Sequence, residues 1–193
     1  NLTTYYPLRL WSLLGTNQEK PHRKAVSDFI KQHIKLNDNI LNNVEKFSKR
    51  FFNNDMIGVH IRGTDKAKEQ EDGGIFKSNL QIKNYIDKVK QYVKNNPSSK
   101  IFIASDNNEA IRRFIEVFTM KKIVVHKSSR MKTFNSPTPI HLSGYCGVSS
   151  GIEVITDMLL LSKTKRIICA DSNVAASSLY FNKDLKHDFM GNK

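Results

Sequence analysis

Met56-Ile57-Gly58-Val59-His60-Ile61-Arg62-Gly63-Thr64-Asp65-Lys66 is the stretch on which the reading of the fold turns. Ile57, Val59 and Ile61 alternate with Gly58, His60 and Arg62, so the two sets project to opposite faces of a strand. The pattern predicts a strand buried on one side, with His60 and Arg62 projecting together on the other. Gly63 then lets the backbone turn or lets a ligand approach closely. Thr64, Asp65 and Lys66 add a hydroxyl, a carboxylate and an ammonium at the strand's carboxyl end, where open α/β sheets bind ligands. A guanidinium beside a backbone turn suits a diphosphate, because its paired N–H groups match phosphate oxygens. An ordinary surface ion pair between Arg62 and Asp65 fits the spacing equally well.

Outward from this stretch, apolar runs of strand length alternate with helical periodicities. Beyond a polar loop at 63–76, Ile82, Tyr85, Ile86, Val89, Tyr92 and Val93 line one face of a helix over 78–94, closed by Asn95-Asn96-Pro97-Ser98. Ile101 to Ala104 reads as a second strand, ending at Ser105-Asp106-Asn107, and Ala110, Ile111, Phe114, Ile115 and Phe118 mark the next helix. Ile123 to Val125 is a third strand ending at His126, followed by a long polar loop from Lys127 to Ser149. Ser150 to Ser162 is the most apolar helix, with Asp157 embedded in it, and Arg166 to Ala170 is a fourth strand running into Asp171-Ser172-Asn173 and a last helix. Toward the amino end, helices are predicted over 22–35 and from the caps Asn37 and Asp38 onward. Residues 1–21 read as an irregular or short-strand lead-in to a main domain over 22–193. Strands alternating with helices imply parallel crossovers, hence an α/β fold with a doubly wound, Rossmann-like sheet.

In such a sheet three polar strand ends share one edge: His60 to Lys66, Ser105-Asp106-Asn107 and Asp171-Ser172-Asn173. Ser172 and Asn173 open the last helix, where free N–H groups favour phosphate; a simple helix cap explains them too, and Asp106 carries the same ambiguity. Asp157 is costly in a leucine-rich helix unless it has a partner or faces a cleft. Guanine offers two adjacent N–H donors that one carboxylate can accept together, whereas an internal salt bridge or an exposed position would equally account for the residue.

Composition bounds the rest. The chain has 193 residues, 39% hydrophobic and 25% charged, and a net charge of +13, which reads as one soluble, globular domain with anionic partners. The lysines are dispersed, and neither an Arg-rich arm nor a zinc-finger spacing singles out nucleic acid. A basic nucleic-acid-binding α/β domain and peripheral association with an anionic membrane stay open as alternatives. No apolar run reaches the roughly 20 residues of a membrane helix. Cys146 and Cys169 form no metal-binding pair. No G-x-G-x-x-G follows a strand and no P-loop is present, which argues against a Rossmann oxidoreductase or a P-loop NTPase. The start at Asn1 reads as a processed or excised end.

His60-x-Arg62-x-x-Asp65-Lys66, with the segments Ile101 to Asn107 and Gly151 to Ser162 and the Ser172-Asn173 turn following in order, resembles the fucosyltransferase superfamily that uses GDP-fucose. The likeness is nearest to its α-1,6, nodulation-type and O-fucosyltransferase-like members. The resemblance implies the donor-binding domain of a GT-B glycosyltransferase, transferring fucose with inversion to a glycan, peptide or other hydroxyl acceptor, with no cofactor or metal required. It implies that Arg62 holds the diphosphate, His60 and Asp157 contact guanosine, Ser172 and Asn173 support phosphate, and Asp65 and Lys66 order the loop, with Gly63 and Asp106 also at the donor. The base would be Glu69, Glu71 or Asp72; the α-1,6 enzymes carry their acid where this chain has Gln70. A non-catalytic GDP-sugar-binding module is the alternative. Residues 1–21 would be a remnant of the acceptor-side domain. The bacterial-type likeness implies a cytoplasmic location, with the secretory lumen as the alternative.

Overall fold

The computed structural model describes residues 9–62, 78–130 and 147–190. Five strands form one parallel sheet: β1 (Ile57–Ile61), β2 (Ile101–Ser105), β3 (Ile123–Val124), β4 (Arg166–Cys169) and β5 (Lys186–Phe189), in the spatial order β3-β2-β1-β4-β5. The helices are α1 (Arg9–Leu13), α2 (Glu19–His33), α3 (Asp38–Phe51), α4 (Ser78–Asn95), α5 (Asn108–Phe118), α6 (Val148–Ser162) and α7 (Asn173–Phe181). The crossovers divide by face. Ile82, Tyr85, Ile86 and Val89 of α4 and Ala110, Phe114 and Phe118 of α5 pack with Ile57, Val59 and Ile61 on one side of the sheet. Leu159 to Leu161 of α6, Ala175, Ala176 and Leu179 of α7, and Val44 of α3 pack with Phe102, Ala104, Ile167 and Cys169 on the other. This is the expected doubly wound architecture, and chain direction around the sheet reverses between β1 and β4.

The central strand departs from the half-buried reading of its alternation. All five residues of β1 are buried, because helices cover both faces. Gly58 owes its identity to that burial. A Cβ there would lie 2.9 Å from Thr164 Oγ1, 3.0 Å from Leu161 Cδ2 and 3.1 Å from Thr164 Cγ2.

Two further differences lie at the ends of the chain. The irregular or short-strand lead-in is instead helical over Arg9–Leu13 and again from Glu19, because Leu10 and Leu14 are buried in the core. The strand β5 was not expected: Lys-His-Asp-Phe has no apolar pattern, yet it pairs in register with β4, and Arg166 Nη1 lies 3.0 Å from Asp188 Oδ2 across that pairing. The amino-terminal helices fasten this carboxyl-terminal edge. Trp11 stacks on Phe189 with ring centroids 5.2 Å apart. Buried Arg23 donates through Nη2 to the carbonyls of Asn182 (3.1 Å) and Leu185 (2.8 Å), and through Nη1 to Glu19 Oε1 (3.3 Å). Among the described residues no helix is long and apolar enough to cross a membrane.

Candidate functional site

Polar groups gather at the carboxyl ends of the strands. His60 is the fourth residue of β1, in register with Ala104 of β2 and Cys169 of β4. Its ring is buried on the α7 side of the sheet, where its Nδ1 lies 3.2 Å from Ser172 Oγ. Ser172 is also the cap of α7: its Oγ accepts the Ala175 N–H at 3.1 Å. Capping and site-building are therefore one arrangement here. A Ser172 hydroxyl that donates to Nδ1 leaves the imidazole proton on Nε2. The link spans β1 and β4, the pair between which the topology reverses, and it sets the amino end of α7 beside the end of β1.

Arg62 follows β1 directly and is partly exposed, and Asn173 is exposed as the first residue of α7. Asp106 sits in the bend after β2, but it does not cap α5. That role belongs to fully buried Asn107, whose Oδ1 accepts the N–H groups of Glu109 (2.7 Å) and Ala110 (3.3 Å). Gly63, Asp65, Lys66, Glu69, Glu71 and Asp72 lie outside the described residues. Below β4, Tyr85 of α4 is buried and hydrogen-bonds the Ala170 backbone, and burial pushes its phenol well above the usual value. Cys169 is buried in β4, with its thiol pushed up to about 12 by desolvation. It has no nucleophilic character at neutral pH.

Asp157 is buried on α6, its side chain 12% exposed, with Oδ1 3.2 Å from His126 Nδ1. Burial raises its pKa, and His126 and Arg130 oppose that shift. Of the readings open for Asp157, the exposed position is excluded, and the side chain facing it is His126, which makes an ion pair only when its imidazole is protonated. The carboxylate nonetheless keeps an uncompensated element, since neither Oδ1 nor His126 Nδ1 finds an aligned hydrogen bond. Sequence reasoning missed three residues around it. His126 stands just past β3. Arg130 donates through Nε to Ser105 O (3.1 Å), through Nη1 to Ser128 O (2.9 Å) and through Nη2 to His126 O (2.5 Å). Glu153 Oε2 accepts the Ser129 N–H at 2.8 Å. A signal existed for His126, which ends a strand as the other polar clusters do. None existed for Arg130 or Glu153, whose bonds to the Ser105 carbonyl and the Ser129 N–H span 25 and 24 residues. Among the described residues no cluster of His, Cys, Asp and Glu is arranged to hold a metal ion.

A parallel sheet with this strand order is a doubly wound, Rossmann-like domain, and the histidine–serine link stands at its point of reversal. The model of the alpha-(1,6)-fucosyltransferase N- and catalytic domains matches residues 4–177, and the chain belongs to that family. Solved structures agree on the fold. NodZ α-1,6-fucosyltransferase co-crystallised with GDP is similar at 16% identity and a TM-score of 0.50, over 81% of this chain and 44% of that one. Selenomethionine NodZ from Bradyrhizobium gives the same values. POFUT1 in complex with GDP-fucose is similar at 12% identity and a TM-score of 0.57, over 88% of this chain and 51% of that one. The chain spans about half the length of these solved fucosyltransferases. No curated protein sequence matches it.

Proposed function

We propose that this chain is the donor-binding half of a fucosyltransferase, taking GDP-fucose at the carboxyl edge of its sheet and transferring fucose with inversion to a glycan or peptide hydroxyl. The observation that carries the reading is the His60–Ser172 contact across β1 and β4, in a chain of this family. Arg62, one residue past β1, is the diphosphate ligand: its paired N–H groups match phosphate oxygens and offset the charge that develops as GDP leaves. Ser172 and Asn173 present the amino end of α7 to the same anion. Asp157 accepts the two N–H donors of the guanine edge, and His60 contacts the nucleoside. Gly63, Asp65, Lys66 and Asp106 complete the donor side. The acceptor oxygen bonds to the anomeric carbon as the bond to the diphosphate breaks, and the hydroxyl proton passes to Glu69, Glu71 or Asp72. The location is cytoplasmic, with the secretory lumen as the alternative.

Gln70, standing where the α-1,6 enzymes carry an acid, favours a second reading in which the chain binds GDP-sugars without turning them over. Calorimetric titration with GDP, ADP and UDP, on this chain and on Arg62→Ala, tests the donor site. Selective GDP binding, weakened about 10- to 100-fold in Arg62→Ala by loss of a charge-assisted pair, supports it. Equal or absent binding of all three by folded protein refutes it. GDP-fucose that is bound but never consumed with any acceptor favours the second reading.

A further inference from the structure

The turn between α2 and α3 carries large apolar side chains that the fold leaves in water. Phe29 is 59% exposed, Ile34 49% and Leu41 42%. Ile34, Leu36 and Leu41 form one side of a groove of about 180 Å³, and Tyr180 and Phe181 of α7 form the other. Phe29 precedes Ile30, which also lines the groove, and its ring centroid is 4.5 Å from that of His33. An exposed aromatic and two exposed aliphatics around one turn make a patch rather than scattered surface residues. The charges of this patch are one-sided. From Phe29 to Asn43 the ionised side chains are Lys31, Lys35 and Asp38, and Asp38 stands in the first turn of α3, where the helix dipole favours an acid. Lys31 lines the groove, and Lys35 separates Ile34 from Leu36. The two acids that act on Lys31 are each paired with another lysine, Asp28 with Lys24 and Asp184 with Lys183, both at 2.6 Å. Ammonium groups interleaved with exposed apolar tips suit an anionic bilayer, where the tips enter the acyl boundary and the charges stay among the headgroups. The net charge of +13 adds to that attraction. The groove also stands apart from the donor edge. Ser172 caps the amino end of α7, whereas Tyr180 and Phe181 close its carboxyl end, about 13 Å along a helix of 9 residues. A surface held at the groove therefore leaves the carboxyl edge of the sheet open.

We propose that the α2–α3 turn docks the chain on an anionic lipid bilayer, with Phe29, Ile34 and Leu41 entering the acyl boundary and Lys31 and Lys35 meeting the headgroups. This does not depend on the donor-site reading above, because no residue of the turn belongs to that site.

The test is co-sedimentation of the full chain with phosphatidylcholine vesicles, with and without phosphatidylglycerol. Wild type is expected to bind the anionic vesicles alone. Affinity is expected to fall about fivefold in each of Lys31→Gln and Lys35→Gln, the weight of one lysine near an anionic surface. It is expected to fall about 10-fold or more when Phe29→Gln, Ile34→Gln and Leu41→Gln are combined. Val117→Gln with Met120→Gln removes exposed apolar groups at the end of α5 instead, and is expected to bind as wild type does. No binding, equal binding to neutral vesicles, or full binding by the triple variant overturns the proposal, the last because dispersed lysines would then suffice. Sedimentation velocity without vesicles distinguishes a protein interface: a wild-type dimer that the triple variant dissolves also overturns it. Should the triple variant fail to fold, Phe29→Trp decides the matter. Its emission, compared with that of Trp11 alone in wild type, is expected to shift to the blue on anionic vesicles, and unchanged emission overturns the proposal.

Discussion

Gly58→Ala puts one methyl group into a closed point of the sheet. The added Cβ would meet Thr164 Oγ1 at 2.9 Å, Leu161 Cδ2 at 3.0 Å and Thr164 Cγ2 at 3.1 Å. Neither neighbour yields freely. Thr164 is 4% exposed, and its Oγ1 sits 2.7 Å from the Leu161 carbonyl and 3.1 Å from that of Arg166, joining the end of α6 to the start of β4. Leu161 is fully buried. Overpacking of this kind costs about 1–3 kcal/mol, offset by about 0.4–1 kcal/mol because alanine has less freedom to lose than glycine. The net loss is about 1–2 kcal/mol, which in a chain of this size lowers Tm by about 2–8 °C. Urea denaturation of wild type, Gly58→Ala, Thr164→Ala and the double variant closes the cycle. Thr164→Ala removes two of the three atoms in the way, so the double variant is expected to be more stable than additivity predicts by about 1 kcal/mol. A Gly58→Ala protein within 0.3 kcal/mol of wild type, or a cycle with no coupling, would show that β1 and the α6–β4 corner are not packed as described; about 0.3 kcal/mol is the scatter of additive pairs.

Other perturbations read the remaining features. Burial raises the Asp157 pKa in the fold, so between the ordinary carboxylate value and the raised one the folded chain holds the extra proton, and the residue's contribution to stability falls as pH rises through that window. Asp157→Asn is expected to flatten that part of a Tm-against-pH curve; an unchanged slope refutes the burial argument. Arg23→Met strips the Asn182 and Leu185 carbonyls of a buried charged donor and is expected to cost about 2–4 kcal/mol by chemical denaturation, an effect under 0.5 kcal/mol counting against the latch. In a Cys146→Ser background, Cys169 is expected to resist a thiol-specific reagent at pH 8 until denaturant is added, since its thiol is buried with a pKa near 12; rapid native labelling would contradict that burial.

The sequence was most legible where a buried face repeats. Ile57, Val59 and Ile61, and the stripe of α4, announce themselves by period, because the pattern is what the layers bury. It was least legible where neighbours supply the reason for an element. The strand β5 exists through ladder pairing and the Arg166–Asp188 ion pair, and α1 is helical through the docking of Leu10. The same division runs through the site. His60, Ser172 and Asp157 stand out as polar residues in apolar or helix-opening contexts. Arg130 and Glu153 bond to backbone groups 25 and 24 residues away, and no local spacing encodes such partners. The two-sided burial of β1 was hidden because Gly58 and His60 alternate with the apolar residues and mimic a half-buried strand.

The Arg23 latch has a consequence for the history of each molecule. Its two carbonyl partners lie 159 and 162 residues further along the chain. At about 5–20 residues per second of synthesis, they emerge roughly 8–30 s after Arg23 itself. Over that interval the guanidinium and the apolar sides of α1 and α2 wait in water for a surface not yet made. Closure of the amino-terminal helices onto α7 and β5 is therefore a late event, and a nascent chain stalled before β5 offers Trp11 and Leu10 to chaperones rather than to Phe189 and the core.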